Sequence, residues 1–173
     1  MEKIVPRYIE FLKEGQDTWQ EKGEYYKAGA GILPICETTG RMLLFLREYK
    51  AGDDDSGKWA TAGGMMKDDE LKMSADVGSR EAALREFKEE TGEKDPFSRL
   101  ISSYVYKSPD GSFTYYNFIG IVPEEFTPKL NSEHDEFKWF SANDLKLVPR
   151  ELFHFGIKLL FANDQATILK YSH

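Results

Sequence analysis

Three glutamates near the middle of the chain have the clearest chemical potential. They fall in the segment REFKEETG (residues 85–92), which contains good helix formers and ends in glycine. At roughly 100° per residue, Glu86, Glu89 and Glu90 lie within about 100° of one another on one helix face. Carboxylates at this spacing repel, and oxygen ligands without a nearby histidine or cysteine favour a hard cation such as Mg²⁺ or Mn²⁺. The alternative is a solvated acidic helix face, which is the commoner situation.

The composition indicates one globular domain with some additional length. The chain has 173 residues, and 23 lysines and arginines against 30 aspartates and glutamates give a net charge of −7. This balance argues against a protein that neutralises nucleic-acid phosphates with a broad basic face. The single cysteine, Cys36, excludes an internal disulfide or a cysteine zinc cluster. Because the sequence has no signal-peptide core and no apolar run of the roughly 20 residues that cross a bilayer, we expect a cytoplasmic protein.

Hydrophobic patterning predicts helices and strands interleaved along the chain. Two short N-terminal helices are expected over residues 6–14 and 18–26, where they cap the core or form a homodimer contact. Residues 28–36 and 41–48 are predicted to form a β-hairpin. The acidic helix is predicted to begin after Ser79 as its N-cap.

The second half of the chain contains further predicted elements of both kinds. They are two aromatic strands over residues 102–107 and 112–122, joined as a hairpin by the turn signal SPDG at residues 108–111, a strand over 137–140, a brief helix from its N-cap Ser141 to Leu147, a long amphipathic helix over 149–163, and an edge strand over 166–171. Strands interleaved with two substantial helices favour an α/β sandwich.

Residues 64–93 resemble the Nudix box, the loop–helix–loop signature of the Nudix hydrolases, written G-x5-E-x7-R-E-U-x-E-E-x-G-U with U apolar. Gly64 and Glu70 match its first part, and residues 85–92 match its second part. Fourteen residues separate this glutamate from the arginine, where the family usually has seven. We therefore expect residues 71–78 to form a surface insertion, which adds little to the entropy of loop closure.

The resemblance extends beyond the box. LLFLR (residues 43–47), Trp59 ahead of the glycine pair, and EFKWFS (residues 136–141) before a short helix are similar to landmarks of the Nudix domain. The family's fold is an α/β/α sandwich with a mixed β-sheet. The resemblance thus implies a Nudix domain over residues 28–173, preceded by a helical extension over residues 1–27.

The family's activity is the hydrolysis of a nucleoside diphosphate linked to another moiety, with Mg²⁺ or Mn²⁺ as cofactor. By resemblance, Glu86, Glu89 and Glu90 hold the metal ions, and a backbone carbonyl of Gly63 or Gly64 completes the coordination. The implied partner is a small nucleotide, such as a nucleotide sugar, a dinucleoside polyphosphate or a nucleoside triphosphate.

Other residues of the motif are assigned supporting or catalytic roles by the same resemblance. Arg85 is implied to pair with a helix carboxylate or with Glu70 and so to orient the loop. The general base is open among four candidates: Glu89, Glu90, Glu133 and Glu136.

Substrate contacts are predicted at Arg47, Tyr104 and Tyr106. Phe113, Tyr115 and Phe118 on the same paired strands are further candidates for a ring that stacks on the base, and packing in the core is the alternative role of all these aromatic residues. Two other functions are also considered. One is a Nudix-like module that binds a nucleotide or protein without turnover, and the other removes a cap or pyrophosphate from the 5′ end of RNA. The complete glutamate set favours hydrolysis, and the lack of a basic arm disfavours RNA.

Overall fold

The fold is taken from a computed structural model, which describes residues 27–172. The two helices predicted over residues 6–14 and 18–26 lie outside these residues. The division into an extension over residues 1–27 and a domain over residues 28–173 therefore stays a prediction.

A seven-stranded mixed sheet forms the centre of the described domain. Its strands are β1 (Lys27–Cys36), β2 (Met42–Arg47), β3 (Trp59–Ala60), β4 (Ala62–Met65), β5 (Arg99–Lys107), β6 (Phe113–Val122) and β7 (His134–Phe140). They follow the order β3-β2-β1-β6-β5, with β4 also paired to β1 and β7 to β2. β1 runs parallel to β6 and antiparallel to β2 and β4. Residues 28–36 are all buried, so β1 is the central strand and is covered on both faces.

Helices cover both faces of this sheet. They are α1 (Asp68–Leu71), α2 (Ala75–Thr91), α3 (Ala142–Leu147), α4 (Phe155–Asn163) and α5 (Gln165–Tyr171). On one face, Ala30 and Ile32 share a buried cluster with Phe87 of α2. On the other face, Leu33 shares a cluster with Leu160 of α4. The predicted α/β/α sandwich with a mixed sheet is confirmed, and none of the helices between residues 27 and 172 has the length and hydropathy needed to span a membrane.

The predicted hairpins and two helix boundaries are confirmed. β1 pairs with β2 and β5 pairs with β6, both antiparallel. α2 ends at Gly92, whose φ of 75° is the left-handed conformation that glycine adopts without strain. Ser141 caps α3, because its hydroxyl accepts from the Asp144 backbone N–H at 3.0 Å and the Asp144 carboxylate accepts from the Ser141 N–H at 3.0 Å.

The acidic helix starts earlier than predicted. It begins after Ser74 rather than after Ser79, which is buried within the helix. The segment 71–78 lies at the surface as expected, with residues 72–77 exposed, but it is not a loop throughout, since its second half is the first turn of α2. A Cβ added to Gly78 would lie 2.1 Å from the carbonyl oxygen of Glu70. Glycine at this position lets the first turn of α2 pack directly on α1. Residues 75–78 therefore continue the helix instead of forming a loop.

The long helix predicted over residues 149–163 is interrupted. A 3₁₀ turn at Arg150–Leu152 precedes α4, and His154 separates the two. The backbone N–H of His154 donates to the carbonyl oxygen of Trp59 at 2.9 Å, and its Nδ1 accepts from the Gly156 N–H at 3.1 Å. Pairing with β3 therefore takes the backbone out of the helix, and the imidazole then caps α4.

The edge strand predicted over residues 166–171 is wrong, because these residues form helix α5. Ile168 is 4% exposed and belongs to the same buried cluster as Leu160. The short apolar run thus supplies one helical face that packs onto the sheet, and periodicity over so few residues does not separate a strand from a helix.

A buried carboxylate, Asp55, joins the loop before β3 to the start of α4. Its Oδ1 lies 2.9 Å from Lys58 Nζ, and its Oδ2 lies 3.5 Å from His154 Nε2. Burial alone would raise the pKa of Asp55, but the hydrogen bonds and charges of His154 and Lys58 outweigh burial and hold that pKa well below its usual range. The folded state therefore favours the ionised form of this side chain.

Asp55→Asn is expected to lower the free energy of unfolding at pH 7 by about 1–3 kcal/mol, because it removes the charge that pairs with Lys58 and His154. The folded pKa is depressed, so the stabilisation is present above the unfolded pKa of about 3.9 and is lost as the pH falls below it. Urea denaturation from pH 7 down to about pH 3 should show the difference narrowing below about pH 5. Asp54→Asn, at an exposed neighbouring position, is the control; equal stability of the two variants at pH 7 would contradict the assignment.

Candidate active site

The C-terminal half of α2 presents its three glutamates in different environments. Glu90 is 2% exposed, and its Oε2 accepts from the backbone N–H of Gly63 at 3.0 Å. Glu86 is half-buried, whereas Glu89 is exposed. The helix face that carries them therefore meets β4 at its buried edge and solvent at its exposed edge.

Two consecutive glycines let side chains approach β4 from both faces of the sheet. A Cβ on Gly64 would lie 2.6–2.8 Å from the carboxylate atoms of Glu86, so the missing side chain makes room for that carboxylate. A Cβ on Gly63 would lie 2.4 Å from the hydroxyl of Tyr115 and 2.5 Å from the carbonyl oxygen of Ala30. The glycine pair thus brings a carboxylate and a phenol to opposite sides of the same short strand.

Arg85 connects α2, α1 and β4. Its Nε and Nη2 donate to the two oxygens of Glu70 at 2.7 and 3.0 Å, and Nη2 also donates to the Met65 carbonyl at 3.0 Å. Its Nη1 lies 2.5 Å from Glu86 Oε1 and 3.4 Å from Glu89 Oε2. The helical wheel directs this arginine away from Glu86, but its long side chain curls back to both glutamates. The pairing with Glu70 that the motif implied is present.

Glu70 is held by more than the arginine. Its Oε2 also accepts from the backbone N–H of Lys67 at 2.8 Å. Burial would raise the pKa of Glu70, but the hydrogen bonds of Arg85 and Lys67 lower it below its usual value. The paired carboxylate raises the pKa of Arg85 in turn. Both groups therefore stay charged, and the pair fixes the turn between the glycine pair and α2.

Glu86 and Glu90 experience the opposite electrostatic effect. Burial raises the pKa of Glu90 well above its usual value, and the charges of Glu133 and Glu86 raise it further. Burial also raises the pKa of Glu86; Arg85 opposes this effect, and Glu89 and Glu133 add to it. These carboxylates repel one another at close range, a situation that a bound cation relieves.

The donor chemistry of this cluster fits a hard divalent cation. Every candidate ligand atom is an oxygen. The space left by the missing Cβ of Gly64 is occupied by the Glu86 carboxylate. Across residues 27–172, no three acidic, histidine or cysteine side chains converge at metal-ligand distance. These carboxylates would have to be arranged differently to hold a cation together.

A loop between β6 and β7 brings Glu133 to the cluster. Its carbonyl oxygen accepts from the Glu48 N–H at 2.9 Å, and the adjacent Asp135 side chain accepts from the Tyr49 N–H at 3.3 Å. The charge of Glu133 acts on both Glu86 and Glu90. Glu136, the other candidate outside the box, lies in β7 opposite Leu46, and both it and Glu133 are exposed.

Arg47 lies at the end of β2 on the same side as the cluster. Its charge lowers the pKa of Glu90, opposing burial. Burial and Arg47 together lower the pKa of His134 to about 4, so this histidine is neutral near pH 7. Arg47 therefore acts electrostatically on both Glu90 and His134.

The two predicted substrate tyrosines lie in an aromatic cluster on the face covered by α4. Tyr106 is 7% exposed and packs edge-on against Phe155 with ring centroids 6.3 Å apart, and Tyr104 is half-buried. Tyr115, a further aromatic candidate on the paired strands, lies nearer to the carboxylates through its contact with Gly63.

The comparisons with known proteins agree with this architecture. The sequence profile of the NUDIX domain matches residues 25–161, and the chain belongs to the Nudix hydrolase family. A nucleoside triphosphatase, NudI, from Klebsiella pneumoniae is 28% identical over 125 residues, which cover 66% of this chain and 83% of that protein.

Two solved structures share the fold at low sequence identity. An Ap4A hydrolase from C. elegans, solved as a binary complex, has a TM-score of 0.57 and 16% identity, covering 84% of this chain and 99% of that one. A bifunctional NMN adenylyltransferase/ADP ribose pyrophosphatase from Francisella tularensis, complexed with AMP and a Mn ion, has a TM-score of 0.57 and 16% identity, covering 91% of this chain and 46% of that one.

The two adjacent glycines of β4 should respond differently to alanine. Gly63→Ala places a methyl group against backbone atoms of Ala30 and Gly31 and is expected to cost about 1–3 kcal/mol or more of unfolding free energy. Gly64→Ala meets only the end of the flexible Glu86 side chain, so its cost should stay below about 1 kcal/mol. Urea denaturation of both variants measures this difference, and equal destabilisation would contradict the described packing.

Proposed function

We propose that this chain is a divalent-metal-dependent pyrophosphohydrolase. It uses Mg²⁺ or Mn²⁺ to cleave the diphosphate bridge of a nucleoside diphosphate linked to another moiety. The observation that carries the proposal is the buried carboxylate of Glu90, which is anchored on the Gly63 N–H and crowded by Glu86 and Glu133. Crowding of buried like charges is unfavourable for a structural element alone, and it suits a site that takes up a multivalent cation.

Each residue of the motif has a role in this proposal. Glu86, Glu89 and Glu90 hold the cation, with a carbonyl oxygen of Gly63 or Gly64 as a further ligand. When bound, the cation polarises phosphoryl oxygens and lowers the pKa of a coordinated water. Arg85 and Glu70 hold the segment after the glycine pair against α2 and so act as positioning residues.

The assignment of the general base moves to Glu133. The charge of Glu133 acts on Glu86 and Glu90 from a separate loop. Its carboxylate is proposed to accept the proton of the attacking water, which leaves the three glutamates of α2 to hold the cation. Arg47, close to Glu90, is placed to bind a phosphate oxygen of the substrate. Glu136 lies within β7 and is the less favoured candidate, because it is Glu133 whose charge acts on Glu86 and Glu90.

The class of substrate is a nucleotide that contains a diphosphate bridge. The three similar proteins are named for a nucleoside triphosphate, for Ap4A and for ADP-ribose, and these compounds share that bridge. Tyr104, Tyr106 and Tyr115 are proposed to contact the nucleoside on the other face of the sheet, where an aromatic ring can stack on a base.

Replacing single carboxylates of α2 tests the proposed function. With Mg²⁺ and a panel of nucleoside triphosphates, dinucleoside polyphosphates, nucleotide sugars and capped RNA, the wild-type chain should turn over at least one compound. Glu86→Gln and Glu90→Gln are each expected to lower kcat/KM by more than about 100-fold, since loss of outer-shell partners alone costs roughly 10–100-fold. Product formation, followed by chromatography, is the measurement.

Glu81→Gln is the matched control, because Glu81 is an exposed glutamate on the same helix. It should retain wild-type turnover. The proposed function is wrong if no compound of the panel is hydrolysed, or if Glu90→Gln is as active as Glu81→Gln.

Glu133→Gln and Glu136→Gln separate the two candidates for the base. Loss of a general base lowers kcat by about 10²–10⁴-fold, and we expect this for Glu133→Gln with little change in the affinity for Mn²⁺. Glu136→Gln should stay within about twofold of wild type, as exposed charges away from the reacting atoms have small effects. A larger loss in Glu136→Gln would reverse the assignment.

A further inference from the structure

Lys67 lies at the rim of the carboxylate cluster, and its side chain has no role in the function proposed above. Its Nζ is 3.6 Å from Glu89 Oε1, and the two side chains are 58% and 51% exposed. An ion pair so open to solvent contributes little to stability and is readily exchanged. Lys67 therefore neutralises Glu89 without being fixed to it.

The backbone of Lys67, by contrast, is held firmly. Its N–H donates to Glu70 Oε2 at 2.8 Å, and its carbonyl oxygen accepts from the Leu71 N–H at 2.9 Å. Glu70 is itself held by both nitrogens of the Arg85 fork. The turn thus presents a mobile ammonium group from a fixed point beside the cluster.

The other cation that touches Glu89 is differently placed. Arg85 approaches Glu89 Oε2 at 3.4 Å, but its side chain is only 20% exposed and is bonded to Glu70 and to the Met65 carbonyl. It cannot move away without breaking the turn. Of these two cations, Lys67 is the one able to leave Glu89.

We propose that Lys67 is an exchangeable counter-ion of the site. Its ammonium pairs with Glu89 while no divalent ion is bound, and it pairs with an oxygen of the substrate's diphosphate once Glu89 holds the ion. The exchange follows from charge, because the ion repels the ammonium from Glu89 while the diphosphate brings anionic oxygens to the same rim. This inference rests on the proposed function and makes Lys67 a residue that contacts substrate.

The test uses the full chain with Lys67→Gln, Lys67→Arg and, as a control of equal charge change, Lys72→Gln at an exposed position five residues further along. Mn²⁺ binding to the protein alone is measured by calorimetry at low ionic strength. Lys67→Gln should bind Mn²⁺ about two- to tenfold more tightly than wild type, since a competing positive charge is gone. The other two variants should bind Mn²⁺ as wild type does.

The second measurement is the affinity for methylenediphosphonate, a non-hydrolysable diphosphate, at saturating Mg²⁺. Here Lys67→Gln should bind about tenfold more weakly, because one charge-assisted hydrogen bond is lost, and Lys67→Arg should restore most of the affinity. A purely structural lysine would not change the two affinities in opposite directions.

Either measurement can overturn the inference. If wild type binds Mn²⁺ but Lys67→Gln matches Lys72→Gln in either affinity, the exchange is wrong and the proposed function stands. If wild type binds no Mn²⁺ at all, the proposed function fails and this inference fails with it.

Discussion

Burial of the Glu90 carboxylate against the backbone of β4 is the constraint on which the rest of the site depends. A single hydrogen bond from the Gly63 N–H opposes the desolvation of this group, while Glu86 and Glu133 add repulsion. Such an arrangement is tolerated only if α2 is held at a fixed distance from β4 by other contacts. The packing of Phe87 and Ala83 against β1 supplies those contacts on the same helix, so the apolar face of α2 stabilises what its acidic face destabilises.

The ion pair between Arg85 and Glu70 fixes the position of α1 relative to α2. Removing one partner of such a buried pair typically costs about 3–5 kcal/mol, because the other charge is left without compensation. The pair joins α2 to α1, and Arg85 also bonds the Met65 carbonyl just after the glycine pair. These contacts explain how the chain between Glu70 and Arg85 can be longer while the two residues stay in contact. The additional residues are absorbed into α1 and into the first turn of α2, where Gly78 allows close packing, and the acidic face keeps its position relative to β4.

The sequence was sufficient for those parts of the fold that rest on local or strongly patterned signals. The end of α2 at Gly92, the capping box at Ser141 and the two hairpins each follow from residue types a few positions apart. The start of α2 depends on a contact between Gly78 and Glu70, and the break at His154 depends on pairing with Trp59. Neither partner is visible in local spacing. For the candidate site, the pattern identified the glutamates and Arg85 as candidates, whereas the effect of the Glu133 charge on Glu86 and Glu90 depends on how the loop folds.

The site therefore consists of two parts with different origins. The part proposed to hold metal is built from a helix and a strand that share the buried core, and its geometry follows from packing. The parts proposed to handle water and substrate lie on loops and on the opposite face, where Glu133 is held by a backbone hydrogen bond to Glu48 and Tyr115 lies over the glycines of β1 and β4. Loop residues can change without disturbing the core. The glutamates of α2 are thus tied to the buried core, whereas Tyr115 and the loop around Glu133, which are proposed to contact the substrate and the attacking water, lie outside that cluster.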